Sequence, residues 1–246
     1  MESNRTMPLL SAVIIAGAML FLAPSCIMYR PQSVDVPLIH HKEDLRVDAA
    51  FSLTPLGFAP ALNATGSYGL TDWNALQFHI NWDGYKTMYT QASVGAYKTF
   101  GGHFVTEAYL GYGFGYSCYQ NHSDSSGSIS SGSSSSTINY TKKYAGAYHL
   151  SHLQLNAGWV DLIKGHLDLG VGLKSGVMFP NFKEEHVNSD PVYHDAPCPL
   201  LEPQAFLRLG SHKLKLTLRV GFCTFFDNAS FGYVPMNISV GLNYRF

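Results

Sequence analysis

The closing stretch, Gly232 to Phe246, constrains this chain more than any other part of it. Val234, Met236, Ile238, Val240, Leu242, Tyr244 and Phe246 alternate with Pro235, Asn237, Ser239, Gly241, Asn243 and Arg245. That period of two marks a strand with one apolar and one polar face. A strand running to the terminal aromatic residue either pairs on both edges or leaves a row of unpaired backbone groups. Closing the sheet into a barrel removes the edge, with Leu45 to Thr54 as the expected partner on the far side.

Composition narrows the setting of such a barrel. Charged residues are 13 % of 246, about half the ~25 % usual in soluble domains. Ser, Thr, Asn, Gln, Gly and His supply the polar positions instead. A formal net charge of −1 gives no electrostatic footprint for nucleic acid, so no nucleic-acid partner is expected. No phosphate-cradling or zinc motif is present, and no cofactor or metal is expected.

At the amino end, Arg5 precedes the apolar run Leu9 to Leu22, followed by Ala23-Pro24-Ser25-Cys26. The run is ~14 residues, short of the ~20 that span a bilayer as a helix, which fits a signal peptide. Cys26 after a small residue resembles a bacterial lipobox, although Ala23 departs from the usual Leu or Val. The expected division is 1–25 as leader, 26–44 as a periplasmic tether containing Pro31 and Pro37, and 45–246 as the barrel. Both termini are then expected on the periplasmic side.

Ten alternating stretches follow. They run from Leu45 to Thr54, Phe58 to Gly69, Leu76 to Trp82, Thr87 to Thr99, Phe104 to Tyr116, His152 to Trp159, His166 to Val177, Leu201 to Leu209, Leu214 to Phe222 and Gly232 to Phe246. Their connections contain Gly, Asp and Pro. The expected fold class is all-β, an antiparallel up-and-down transmembrane barrel of about ten strands. The connections after even strands are short, whereas the long ones, Asn121 to Thr141 and Phe179 to Pro199, follow odd strands. Short periplasmic turns and long external loops have this pattern. The polar face is rich in Gly and Asn and poor in charge, which suits a crowded lumen better than a soluble surface.

The lipobox-like cysteine, the tether Val34-Asp35-Val36-Pro37-Leu38, the segments Gly66 to Asp72 and Leu201-Glu202-Pro203-Gln204, and the ending Asn243-Tyr244-Arg245-Phe246 together resemble outer-membrane β-barrel lipoproteins of the Bacteroidetes type. The resemblance implies an outer-membrane location, with membrane lipids and the outer-membrane insertion machinery as partners. It brings no activity with it.

Arg46, Asp48, His79, Glu107, His152, Asp168, Lys174, Glu202, Arg208, Lys215 and Arg219 share lumenal parity. They form either a polar conduit or a mutually neutralising network that fills a narrow barrel. Opposing Leu207 to Leu214 puts Glu202 across from Arg219 and Cys198 across from Cys223, a candidate disulfide in an oxidising envelope. His149-Leu150-Ser151 distantly resembles the His-x-Ser pair of outer-membrane lipid A deacylases, without an acid on the neighbouring strand. The expected role is structural or surface-interacting and non-enzymatic, with the extracellular partner of the loops unidentified. The alternatives are a narrow channel for small polar solutes and an outer-leaflet lipid-modifying enzyme.

Overall fold

The computed structural model describes residues 29–30, 35–53, 61–83, 87–124, 139–186, 190–226 and 229–246. The leader, Cys26 and the centre of the first long loop lie outside them. The strands are β1 (Leu45–Leu53), β2 (Ala61–Gly69), β3 (Asn74–Trp82), β4 (Thr87–Phe100), β5 (Phe104–Asp124), β6 (Asn139–Asp161), β7 (Leu167–His186), β8 (Val192–His194), β9 (Cys198–Gly210), β10 (Leu214–Phe222), β11 (Thr224–Phe225) and β12 (Met236–Arg245). Ten of them form a closed antiparallel barrel. The two shortest, β8 and β11, pair onto β7 and β9 at the rim.

The seam closes as the terminal alternation requires, with Val47 opposite Tyr244 and Phe51 opposite Val240. The chain end is tied down by Phe246 N–H donating to the Leu45 carbonyl (3.0 Å) and Arg245 N–H donating to the Lys213 carbonyl (2.8 Å).

Side chains sort by parity. Phe51, Leu62, Phe78, Val94, Leu110, Leu155, Leu216 and Leu242 point outward and are exposed. Their polar neighbours along each strand are buried inside. An exposed apolar band of this extent is far beyond the few hundred Å² that a soluble monomer shows, and it matches a lipid-facing wall. Aromatic residues border it on both sides. Trp73, Phe100, Trp159, Tyr244 and Phe246 lie toward the short turns, and Trp82, Phe114, Tyr116, Phe179 and Phe222 toward the long connections. Aromatic girdles of this kind mark the two membrane interfaces.

From the level of the second girdle outward the inward-facing positions become apolar. Tyr144, Tyr148 and Leu150 on β6, Met178 and Phe182 on β7, and Leu200 on β9 are apolar yet buried inside. They form one cluster with Tyr29, Tyr89, Phe225 and Phe231. Outside the bilayer the solvent is water, so the apolar residues turn inward. Two expectations are corrected here. Phe179 to His186, read as loop, continues β7, and Val192–His194 pairs back on it. Backbone pairing also extends β5 to Asp124 and begins β6 at Asn139. A pattern search for outward apolar residues stops where the surroundings change.

Two further corrections concern register. Leu207 faces Leu218, not Leu214, because the turn holds Ser211 against Leu214, with Ser211 N–H donating to the Leu214 carbonyl (2.8 Å). Glu202 therefore faces Lys174 on β7, and Arg219 faces Phe206. Cys198 and Cys223 are therefore not opposed in the register that the pairing assumed. Val234, assigned to the lipid face, is buried and donates its N–H to the Tyr29 carbonyl (3.1 Å).

Candidate functional site

The lumen is occupied by the chain itself. The stretch expected to be a free tether is buried there at Tyr29, Asp35, Val36, Leu38 and Ile39. Tyr29 sits at the long-loop end, where its N–H donates to the Gly232 carbonyl (3.3 Å) and its hydroxyl donates to Glu202 (2.8 Å). Asp44 sits at the short-turn end, one residue before β1.

The contacts are arranged in layers along the barrel. Nearest the short turns, Arg245 pairs with Asp44 (3.0 Å) and Asp161 (3.1 Å), Arg46 pairs with Asp44 (3.4 Å), and Lys215 bridges Asp161 and Asp168. Above them Glu107 accepts from Ile39 N–H (2.6 Å) and from Asn156 (2.8 Å). Leu38 packs with Val105, Val160 and Phe206. Its φ of 55° lies in the left-handed region that a bulky residue seldom adopts.

The central layer is built around Asp35. Its carboxylate lies 3.1 Å from Arg219 and 3.5 Å from Arg208, and Arg219 also pairs with Asp48. Its carbonyl accepts from Gln77 (3.0 Å) and Gln154 (2.7 Å), and Arg208 donates to the Val36 carbonyl (2.7 Å). Among the groups named here the wall carries Arg46, Lys174, Arg208, Lys215, Arg219 and Arg245 against Asp48, Glu107, Asp161, Asp168 and Glu202, and the inserted segment adds the carboxylates of Asp35 and Asp44. In a space of low effective dielectric, removing one partner of such a pair costs about 3–5 kcal/mol, because the remaining charge is left uncompensated.

Next come His79 and His152, bonded to Thr65 (2.8 Å) and Ser93 (3.4 Å). Lys174 here bonds to Gln91 (3.1 Å) and lies 3.7 Å from Glu202. The aromatic cluster around Tyr29, Tyr89 and Tyr148 closes the lumen above. All eleven residues of lumenal parity are buried inside. The inserted segment and its pairing to Arg208 and Arg219 were missed by sequence reasoning. Their available signal was an acid set among apolar residues in Val34-Asp35-Val36.

His149 and Ser151 both face outward, roughly 7 Å apart along β6 at ~3.3 Å per residue. The His149 ring stacks on Tyr112 and bonds to its hydroxyl (2.6 Å), so it belongs to the interfacial aromatic belt rather than to a pair with Ser151.

No family model matches the chain, and no curated protein does. Among solved structures it is similar to the translocator domain of the autotransporter NalP from Neisseria meningitidis, with 14 % identity, 97 % of this chain and 98 % of that one covered, and a TM-score of 0.43. It is also similar to the N-terminal β-barrel domain of OprF from Pseudomonas aeruginosa (9 %, 83 % and 98 %, TM-score 0.35). A third likeness is to OmpT, an outer membrane protein of Vibrio cholerae (10 %, 82 % and 96 %, TM-score 0.21).

Proposed function

We propose that this chain is an outer-membrane β-barrel sealed by its own amino-terminal segment, with a structural or surface-interaction role in place of solute passage. The observation that carries the reading is the seating of Asp35 between Arg208 and Arg219, with Gln77 and Gln154 on its carbonyl. A barrel this narrow is already packed with side chains, and the inserted segment fills what remains. The apolar band between two aromatic girdles supports the membrane location.

Cys26 is proposed as the lipidated residue, supported by its lipobox-like context. Two residues separate it from Tyr29, so the three steps between them reach at most ~11 Å. Tyr29 lies at the long-loop end, so this reading puts the lipid anchor on the external side, not the periplasmic one expected from sequence. Incorporation of radiolabelled palmitate that survives Cys26→Ala would refute the assignment.

Planar-bilayer recording tests the sealed lumen. The wild-type protein is expected to give no steady open steps. Asp35→Ala, which removes the carboxylate seated between Arg208 and Arg219, is expected to loosen the segment and produce them. Stable conductance from the wild-type protein would sink the sealed-barrel reading in favour of a polar channel.

A further inference from the structure

Three side chains at the external rim come together from separate parts of the chain. Ser230, in the connection between β11 and β12, is exposed, and its Oγ lies 2.8 Å from His194 Nδ1. His194 ends β8 and is buried, and its Nε2 lies 3.1 Å from Glu184 Oε2. The second oxygen of Glu184 accepts the Tyr144 hydroxyl hydrogen bond (2.6 Å). A hydroxyl, an imidazole and a carboxylate are thus linked in series, the carboxylate held by a further donor. This is the geometric signature of an activated serine nucleophile, recognised by roles rather than by chain order.

We propose that Ser230, His194 and Glu184 form a hydrolytic site for carboxylic esters presented on the external side of the membrane. Ser230 Oγ adds to the ester carbonyl carbon as its proton passes to His194 Nδ1. The tetrahedral adduct then expels the alcohol, which takes that proton, and leaves an acyl group on Ser230. A water molecule, deprotonated by His194, attacks the acyl carbon, and collapse returns the proton to Ser230 Oγ and releases the carboxylic acid. Throughout, Glu184 accepts from Nε2–H, which fixes the tautomer that leaves Nδ1 free to act as base. It is a positioning residue, and Tyr144 positions it in turn.

Height selects the substrate. Glu184 lies five residues beyond Phe179 of the external girdle, roughly 16 Å farther along the strand at ~3.3 Å per residue. The trio therefore stands above the hydrocarbon layer, and esters buried among acyl chains are out of reach. Val192 and Tyr193, exposed on β8 beside His194, offer an apolar surface. The fitting class is a water-soluble or headgroup-level ester with a short acyl group.

The test uses the full chain folded in detergent, its fold checked by heat-modifiable migration. A fluorophosphonate probe is expected to attach to Ser230, as mapped by peptide mass spectrometry, and p-nitrophenyl butyrate to be hydrolysed. Ser230→Ala is expected to abolish both. Glu184→Gln keeps the shape but not the acceptor charge, and it is expected to slow turnover by at least 100-fold while retaining the gel shift. Wild-type protein that is folded yet unlabelled at Ser230 overturns the proposal, as does labelling that is unchanged in His194→Gln.

Discussion

Gly113 and Gly115 sit where a side chain would strike a tyrosine. An added Cβ would lie 2.1 Å from the Tyr89 hydroxyl oxygen and 2.1 Å from Tyr148 Cζ, respectively. The two rings stack 5.8 Å apart, each laid over a glycine of β5. Alternating glycines on an inward face signal close packing, and here the ring is the partner. Gly115→Val is expected to lower stability by about 1–3 kcal/mol through overpacking, read as a lower temperature for the gel shift. The three atoms nearest to the Cβ added at Gly115 all belong to the Tyr148 side chain, so Tyr148→Ala in the same chain should recover part of the loss. If the double variant is no better than the single one, the joint is not what limits the barrel there.

Among the elements, the seam between β1 and β12 decides whether the sheet is a barrel. Ser52 and Ser239 are directly opposed across it and both point inward, within the ~4.4–6.8 Å Cα range that disulfides bridge. Ser52→Cys with Ser239→Cys is expected to form an intramolecular bridge on oxidation, visible as altered migration on a boiled, non-reducing gel. Two thiols that stay free would argue against closure. This seam was legible from the alternation of Gly232 to Phe246, as were the ten barrel strands and the lumenal parity of Arg46, Asp48, His79 and Glu202. What escaped has a physical reason in each case. The register of β9 against β10 depends on a turn that Ser211 fixes through hydrogen bonds, and alternation alone is blind to a slip by an even number of residues. The outer ends of β6 and β7 were hidden because Tyr148 and Phe182 obey an inside-out rule once the strands leave the bilayer. The rim trio was invisible because Ser230 and Glu184 lie 46 residues apart in sequence, and only the fold of the cap brings them to one imidazole.

For the whole molecule, the direction of the inserted segment is the main consequence. With Tyr29 among the aromatic residues at the long-connection end and Asp44 at the short-turn end, the proposed direction has an epitope placed directly before Tyr29 bind antibody on intact cells. Binding only after the outer membrane is permeabilised would reverse the proposed direction. Asp35→Ala should weaken the hold by about 3–5 kcal/mol, and the same epitope then reports whether the terminus slips.

The closing seam also bears on how the molecule is assembled. Tyr29 and Glu202 are bonded across 173 residues of sequence, and β1, which the inserted segment leads into, is the strand on which the last one zips. Contacts of such long range form late and slowly. A segment laid along an open, trough-shaped sheet needs no threading, and the pairing of β12 with β1 then shuts the trough over it. From that moment the segment is mechanically captive: it can leave by sliding along the axis, but not sideways, for as long as the final strand holds.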